Sequence, residues 1–474
     1  MTLSGRHGSS ELRGVWRALD ALCAASAPEL GHQLALQVIF LRSWPAPDGA
    51  GLDRSFGPAE PALNRAWALL EVGRLSDPVA HRAVRSRRLH GEADRALAAL
   101  IAQVARLEQP AGLFDACLDR YSSRFGAGGD YYTPRPLARL MAGLAAPQPG
   151  ESVLDPVCGS GRLLVAADEW ARGKEHGPGV LAVHGRDIRP EARRAAAMNL
   201  TLGGLHYELG GEAVDSLHAG PTGLSPDVVL ANPPLNTNDW GYQELIRDPR
   251  WSLGPPPKGN ANFAWLQHVV HELSAQGRAV ILLPDSATRG LNTAESYIRR
   301  RLVERDLLAG VVALPSRLFP HTRSGATLWL LARDKSASPR WGRKSRVGEV
   351  LLADARRLGT PADRAGGAPR ADAAIDRIWQ IFANWRGTSS AQEDGTGQVD
   401  WCRSVNHDDI ARRGYDLSPG SYVQTAPAST EDALSEAEHR HPKDALYEHF
   451  EHALRMSERL RDVLGTEPAE WVQE

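Results

Sequence analysis

The 474-residue sequence is short of several things, and each shortage closes a class of explanations. Nowhere do eighteen or so apolar residues run uninterrupted, and the opening MTLSGRHGSSELRG lacks an apolar core after its basic positions. Neither a membrane span nor an export signal is therefore visible. Cysteine is scarce: Cys23, Cys117, Cys158 and Cys402 are scattered and form no CxxC pair, which argues against a zinc knuckle and a disulfide framework. A reducing cytoplasm is the expected location. Excess charge is missing too. Fifty-five basic residues stand against fifty-seven acidic ones, a net charge of −2, which is little with which to grip a polyanion unaided. If nucleic acid is the substrate, a partner supplies much of the grip. No internal repeat is visible, and 42% hydrophobic with 24% charged residues is the composition of an ordinary soluble globular chain.

What is present is enough chain for about two to four folding units. From about Glu11 to Asp119, apolar residues fall at three- and four-residue spacing in LRGVWRALDALCAAS and ADRALAALIAQVARLEQ, around a Pro- and Gly-rich stretch between Pro45 and Pro61. The spacing predicts a helical region. From Ser152 onward short apolar runs alternate with amphipathic stretches: SVLDP, LLVAADEWAR, VLAVHGRDI, PEARRAAAMNLTL, DVVLANPP. That alternation predicts an α/β fold, a doubly wound parallel sheet of about seven strands that continues through RAVILLPD, LAGVVALP and ATLWLLARD. After Lys335, KSASPRWGRKSR and RGTSSAQEDGTGQVD read as loops around a helix-like DAAIDRIWQIFANW, and the sheet is expected to end there. The expected plan is a helical domain over 1–120, the sheet domain over 121–336, an extension with polar loops over 337–428 and a helical tail over 429–474. The alternating charge and spaced Leu, Ala and Phe of that tail suit a docking element for a partner.

Asp155-Pro156-Val157-Cys158-Gly159-Ser160-Gly161 stands where a strand gives way to a helix. Glycine at 159 and 161 lets the backbone approach a ligand and turn into the helix with no Cβ in the way. Leu164 breaks the dinucleotide pattern and no Gly-Lys-Ser/Thr follows, so a P-loop is not indicated either. Taken alone, the GxG is equally an ordinary strand-to-helix turn. The next strand ends in His184-Gly185-Arg186-Asp187, where a carboxylate suits the two ribose hydroxyls of a nucleoside or simply caps the helix starting at Pro190. Asp215, after Glu212-Ala213-Val214, stands at the expected end of a third strand. There it could accept from an adenine amino group or be a plain loop aspartate.

Asn232-Pro233-Pro234-Leu235 follows the apolar run Asp227-Val228-Val229-Leu230. An aromatic amino group is a poor nucleophile because its lone pair is delocalised into the ring. The amide oxygen of Asn232 and the carbonyl of Pro233, aimed by proline rings that fix φ, are two acceptors for its two N–H bonds. A Pro-Pro pair is otherwise a chain stop. Combined with the turn upstream, it predicts methylation of a planar nitrogen that needs no metal, nucleophilic side chain or covalent intermediate.

The DPVCGSG turn, the ANPPL motif and the upstream Gly129-Asp130-Tyr131-Tyr132-Thr133-Pro134-Arg135, in their order along the chain, resemble the amino-methylating DNA methyltransferases. More narrowly, NPPLNTNDWGYQELIRDPRWSLGPPPKGNANFAWLQHVV and Gly414-Tyr415-Asp416-Leu417-Ser418-Pro419 are similar to modification subunits of type I restriction-modification systems. The resemblance runs from about Leu113 to Val423. It implies a Rossmann-like sheet that uses S-adenosyl-L-methionine to methylate the N6 amino group of adenine in double-stranded DNA. It further implies a specificity subunit as partner, with a restriction subunit as a second candidate. Tyr132, Thr133 and Pro134, with Arg135 beside them, would line the methionine and adenine ends of the cofactor. Asp155, Gly159, Ser160 and Gly161 would hold its methionine portion, Asp187 its ribose and Asp215 its adenine amino group. Asn232 and Pro233, with Pro234, would hold the target amino group. Phe319 of Leu318-Phe319-Pro320 would stack on the extruded base and offset its unstacking, unless it simply packs in the core.

Two positions depart from the family pattern. Leu235 stands where an aromatic residue is usual, and Arg162 stands where a small residue is usual, so that its long cation is expected to crowd or tune the cofactor pocket. Three readings stay open at this point: an adenine-specific DNA methyltransferase subunit, a methyltransferase of glutamine side-chain amides or RNA, and a DNA-binding or scaffold homologue that has lost turnover.

Overall fold

A computed structural model describes residues 8–43, 89, 91–107, 112–125, 133–173, 179–314, 325–356, 358, 371–388 and 400–423. Met1–Val423 form one compact unit. The second unit, Gln424–Glu474, lies outside the described residues, and with it the helical tail expected over 429–474.

Among the described residues four helices precede the sheet domain: α1 (Gly8–Ala25), α2 (Pro28–Ser43), α3 (Glu92–Ala105) and α4 (Leu113–Phe125). The apolar stripes that predict α1 and α3 converge with α2 and α4 on one core, containing Leu19, Leu22, Ile39, Phe40, Leu97, Leu100 and Leu118. Ala195 and Met198 of a later helix join the same core and so dock the helical region against the sheet domain.

The sheet domain opens with α5 (Arg135–Ala145) and runs through β1 (Ser152–Asp155), α6 (Arg162–Arg172), β2 (Ala182–Gly185), α7 (Pro190–Leu202), β3 (Tyr207–Glu208) and β4 (Val228–Ala231). It continues with α8 (Tyr242–Leu245), α9 (Asn262–Glu272), β5 (Arg278–Pro284), α10 (Thr293–Glu304), β6 (Leu308–Ala313), β7 (Ala326–Ala332) and β8 (Glu349–Asp354). Last come α11 (Ala371–Arg386), β9 (Cys402–Asn406) and α12 (His407–Arg412). The nine strands lie in the order β3-β2-β1-β4-β5-β7-β6-β8-β9. β3 to β5 are parallel, β7 runs antiparallel between β5 and β6, β8 is parallel to β6, and β9 is antiparallel to β8.

Three expectations need correction. The sheet does not end near Lys335, because Glu349–Asp354 and Cys402–Asn406 extend it by two strands beyond β6. It is mixed rather than wholly parallel, since β7 returns by a short connection from β6, and antiparallel pairing needs no crossover helix. The third strand is Tyr207–Glu208, so Glu212-Ala213-Val214 is not a strand.

Both faces of the central strands β4 to β7 are covered, which is why they read as continuous apolar runs rather than alternating ones. Side chains still alternate in space. Val228 and Leu230 of β4, with Val280 and Leu282 of β5, enter the core under α5, α6 and α11. Val229, Ala231, Ala279, Ile281 and Leu283 enter the opposite core under α9 and α10. Fully burying such a Val or Leu side chain is worth about 1.5–3 kcal/mol, and that fixes the register of each strand end, where the polar motifs lie. Among the described residues, no helix is long and apolar enough to cross a membrane.

Candidate active site

The strand order reverses between β1 and β4, whose neighbours β2 and β5 lie on opposite sides. The crevice beyond the carboxyl ends of the strands at such a point is where open α/β sheets bind ligands. Asp155, Asp187 and Asn232 all stand at those ends. β1 finishes at Asp155, which is 1% exposed. Its Oδ1 accepts the Val157 N–H at 3.0 Å, whereas Oδ2, also buried, has no hydrogen-bond partner among the described residues. Burial pushes this carboxyl well above its usual range; the Val157 bond opposes the shift and neighbouring Asp187 adds to it.

The turn that follows is built as its glycines require. Gly159 and Gly161 sit at φ 53° and 74°, left-handed conformations that a Cβ would strain. A Cβ on Gly161 would also meet Ala196 at 3.3 Å, where α6 starts against α7. The Gly159 N–H points at Asp187 Oδ2, 2.9 Å away, and the Arg189 N–H donates to Asp187 Oδ1 at 2.9 Å. Asp187 is buried, and desolvation raises its pKa despite these two bonds. Ser160 is buried, and its carbonyl accepts from Asn199 Nδ2 at 3.0 Å, so Asn199 of α7 holds the turn from behind. Ile188, beside Asp187, is 59% exposed, an apolar surface next to a carboxylate.

Asn232 emerges from β4 into a buried position. Its Nδ2 donates to Thr133 Oγ1 at 3.1 Å, and no other hydrogen bond to the side chain is present among the described residues. Thr133 thereby orients the amide and leaves Oδ1 as an acceptor. Pro233 is buried, Pro234 exposed and Leu235 half-buried. The exit of this loop is pinned: Asn236, at φ 54°, donates its N–H to Asn262 Oδ1 at 2.9 Å and accepts Asn262 Nδ2 at 2.9 Å.

Arg162, whose long cation is expected to crowd or tune the cofactor pocket, points to partners on α4 and at Thr133. It is 4% exposed, and its guanidinium reaches Asp119 Oδ1 at 2.6 Å, Asp115 Oδ1 at 3.3 Å and the Thr133 carbonyl at 3.2 Å. Asp215 lies in a loop after β3. Its Oδ1 accepts the Leu217 N–H at 2.9 Å and its Oδ2 lies 2.7 Å from His218 Nδ1. The buried Arg250 holds this loop from below, donating to the carbonyls of Ser216 and Leu217 and to Asp248. Its partner His268 is pushed down to about 3 by burial and by Arg250 itself, so Nδ1 is an acceptor 3.0 Å from Arg250 Nη1.

The fold thus brings Asp155, Gly159, Ser160, Gly161, Asp187 and Asn232 to the carboxyl ends of the neighbouring strands β2, β1 and β4, with Thr133 bonded to Asn232. Pro134 caps α5 with its carbonyl, which accepts from Ala138, and Arg135 is exposed, 3.8 Å from Asp115. Tyr132 and Phe319 lie outside the described residues. Sequence reasoning missed Ile188, Asn199, Arg250 and Asn262. An apolar residue after a strand-end carboxylate and a charge inside the apolar run Arg250-Trp251-Ser252-Leu253 were the available signals.

The donor set fits a nucleoside cofactor with a cationic amino-acid end. The orphaned Asp155 oxygen suits an ammonium group, the Asp187 carboxylate suits a ribose diol, and the glycine turn leaves the approach open.

Comparison with known proteins agrees. The family model described as N-6 DNA Methylase matches residues 112–431. A relative from Haemophilus influenzae, the type I restriction enzyme HindI methylase subunit, is 32% identical over 357 residues, spanning 74% of this chain and 77% of that protein. The MjaIX methylase subunit of Methanocaldococcus jannaschii is 31% identical over 62% of this chain, and the match spans 52% of its own length. Among solved structures, the type I restriction-modification methyltransferase subunit from Streptococcus thermophilus superposes with a TM-score of 0.64 at 20% identity. It covers 88% of this chain and 99% of its own, a likeness of fold.

Proposed function

The chain belongs to the N-6 DNA methylase family, and from that premise we propose that it transfers a methyl group from S-adenosyl-L-methionine to the N6 amino group of adenine in DNA, as the modification subunit of a type I restriction-modification system. The observation that carries this reading is the Asn232 amide, fixed through Nδ2 by Thr133 with its oxygen left to accept, at a strand end beside Asp155 and Asp187.

When bound, the cofactor supplies an electrophilic sulfonium methyl. Asp155 takes its ammonium end, Asp187 its ribose hydroxyls, and Ile188 covers its adenine face. Asn232 Oδ1 and the Pro233 carbonyl accept the two N–H bonds of the target amine, drawing its lone pair out of the ring and aiming it. Preorganised acceptors of this kind cost nothing to reorganise at the moment of transfer. Pro233 and Pro234 keep φ fixed, and Asn262 holds the loop behind them. The glutamine-amide and RNA readings find no comparable support, because the family model and the relatives that match are DNA methylases; against the scaffold reading, the acceptor geometry at Asn232 is intact and Arg162 is paired rather than intruding.

Double-stranded DNA is the substrate, and with a net charge of −2 the chain relies on a specificity subunit for much of its hold and for sequence reading; a restriction subunit completes such a system. Tritiated S-adenosylmethionine, offered with unmethylated genomic DNA, RNA and protein to the complex purified from its host, is expected to label DNA as N6-methyladenine. Label in protein or RNA alone overturns the substrate. Full-rate methylation of a defined sequence by the isolated chain overturns the partner.

A further inference from the structure

We infer that Arg162 is a positioning residue for methyl transfer: it fixes the Thr133 carbonyl, and through Thr133 the amide of Asn232, while two carboxylates of α4 hold Arg162 in place. The inference rests on the methyl-transfer reading above.

Arg162 is the first residue of α6, directly after Gly161, and as a buried cation it must be compensated. Most of the compensation comes from outside the sheet domain. Asp119 Oδ1 lies 2.6 Å from Nη1, and Nη2 donates to the Asp115 carbonyl at 3.1 Å and to Asp115 Oδ1 at 3.3 Å. Those contacts alone would staple α4 to α6. The remaining one does something a staple does not need: Nη1 also donates to the Thr133 carbonyl at 3.2 Å. Nε has no acceptor among the described residues, so the Nη bonds alone orient the guanidinium.

Thr133 is therefore gripped on two sides, its carbonyl by Arg162 and its hydroxyl by Asn232 Nδ2 at 3.1 Å. Pro134 follows with φ −58° and ψ 143°, which stiffens the chain as it enters α5. The direct contacts Asp119–Arg162–Thr133–Asn232 connect the helical region to the group that accepts from the target amine. In this chain the Arg162 departure works as a support for the site.

The test uses the complex purified from its host, carrying Arg162→Ser, Arg162→Lys or Asp119→Asn, with kcat and the KM for S-adenosylmethionine measured separately. A positioning fault of this kind is expected to lower kcat at least about tenfold in Arg162→Ser with KM within about twofold, because misplacement slows chemistry more than binding. Arg162→Lys, which keeps one donor and the charge, recovers part of that loss. Asp119 is 55% exposed, and Asp119→Asn, which keeps the side-chain shape and a hydrogen-bond acceptor, is expected to lower kcat about twofold to fivefold, in the range of pairwise coupling between contacting residues. An unchanged kcat in Arg162→Ser, or a rise in KM alone, overturns the proposal. Should Arg162→Ser fail to fold, Asp119→Asn decides, read also through the 13C-labelled methyl resonance of Thr133. A moved resonance supports the linkage, and an unmoved resonance with unmoved kcat overturns it. If the native complex methylates no DNA, the functional reading fails, yet the Thr133 resonance still decides whether α4 reaches Thr133.

Discussion

Two buried charges of the sheet domain are treated in opposite ways. At the β6–β8 side, Lys335 is fully buried and each of its three ammonium protons has an acceptor: the Leu308 carbonyl at 2.9 Å, the Glu349 carbonyl at 2.7 Å and Asp306 Oδ1 at 2.6 Å. Burial still lowers its pKa, with Asp306 opposing the shift. At the β1–β2 side, Asp155 is as deeply buried but keeps one oxygen unpartnered, with a second carboxylate, Asp187, nearby. The same chain completes one buried charge and leaves another incomplete. A buried polar group without its partner needs an explanation, and a ligand that supplies the missing donors is the economical one. The contrast separates charge that holds the fold from charge that is kept for function.

Substitutions sharpen this contrast. The largest effect is expected at Asn232. Asn232→Ala removes a preorganised acceptor and should lower single-turnover methyl transfer by at least about 100-fold, with cofactor affinity nearly unchanged; an intact rate would sink the mechanism. Next is Lys335→Met, which leaves two carbonyls and a carboxylate without their donor. It should cost roughly 2–3 kcal/mol of stability, read by denaturant unfolding, and leave cofactor affinity untouched. Asp155→Asn should do the reverse. A group whose folded pKa is raised contributes stability that is lost as pH rises through the folded value, so the ionised form of Asp155 burdens the fold. Its replacement should raise stability by about 1 kcal/mol while weakening cofactor binding about tenfold, a difference of about 1.4 kcal/mol. Loss of stability in Asp155→Asn would break the comparison.

Much of this was legible in the chain, for reasons that also explain what was not. β1 and β4 to β7 are buried almost throughout and announce themselves as apolar runs. Glu349–Asp354 is as buried, but it follows basic polar chain, and the edge strand Cys402–Asn406 exposes several side chains, so neither stood out. Nothing in periodicity states that β7 runs antiparallel. Asp155, Asp187 and Asn232 were readable because strand ends are. The contact that orients Asn232 spans 99 residues to Thr133, and Arg162 finds Asp119 across 43 residues; pairings at that distance leave no local mark. Asp215 was assigned to a strand end because Glu212-Ala213-Val214 mimics one, yet its loop is held by Arg250, Ser216 and Leu217. The late Gly414-Tyr415-Asp416-Leu417-Ser418-Pro419 has a role in the fold: Leu417 is fully buried and donates its N–H to the Thr288 carbonyl after β5, at 2.9 Å.

The smallest expected effect is on pH dependence, and it distinguishes function from fold by sign. Burial raises the Asp155 and Asp187 carboxyls above the usual carboxylate range. Protonation relieves a buried charge, so the part of the ligand-free protein's stability due to these groups grows as pH falls through their raised values. Cofactor binding goes the other way. Its ammonium and ribose hydroxyls donate to ionised carboxylates, so affinity declines over the same interval. With S-adenosylhomocysteine as a stable probe, calorimetric titration should show binding about threefold or more weaker at the acid end of that interval than at its alkaline end, the direction that proton linkage to raised carboxyls gives. In Asp155→Asn the slope should be shallower, because Asp187 alone remains to titrate. An equal slope in both proteins would remove Asp155 from the cofactor site and leave its orphaned oxygen without a ligand.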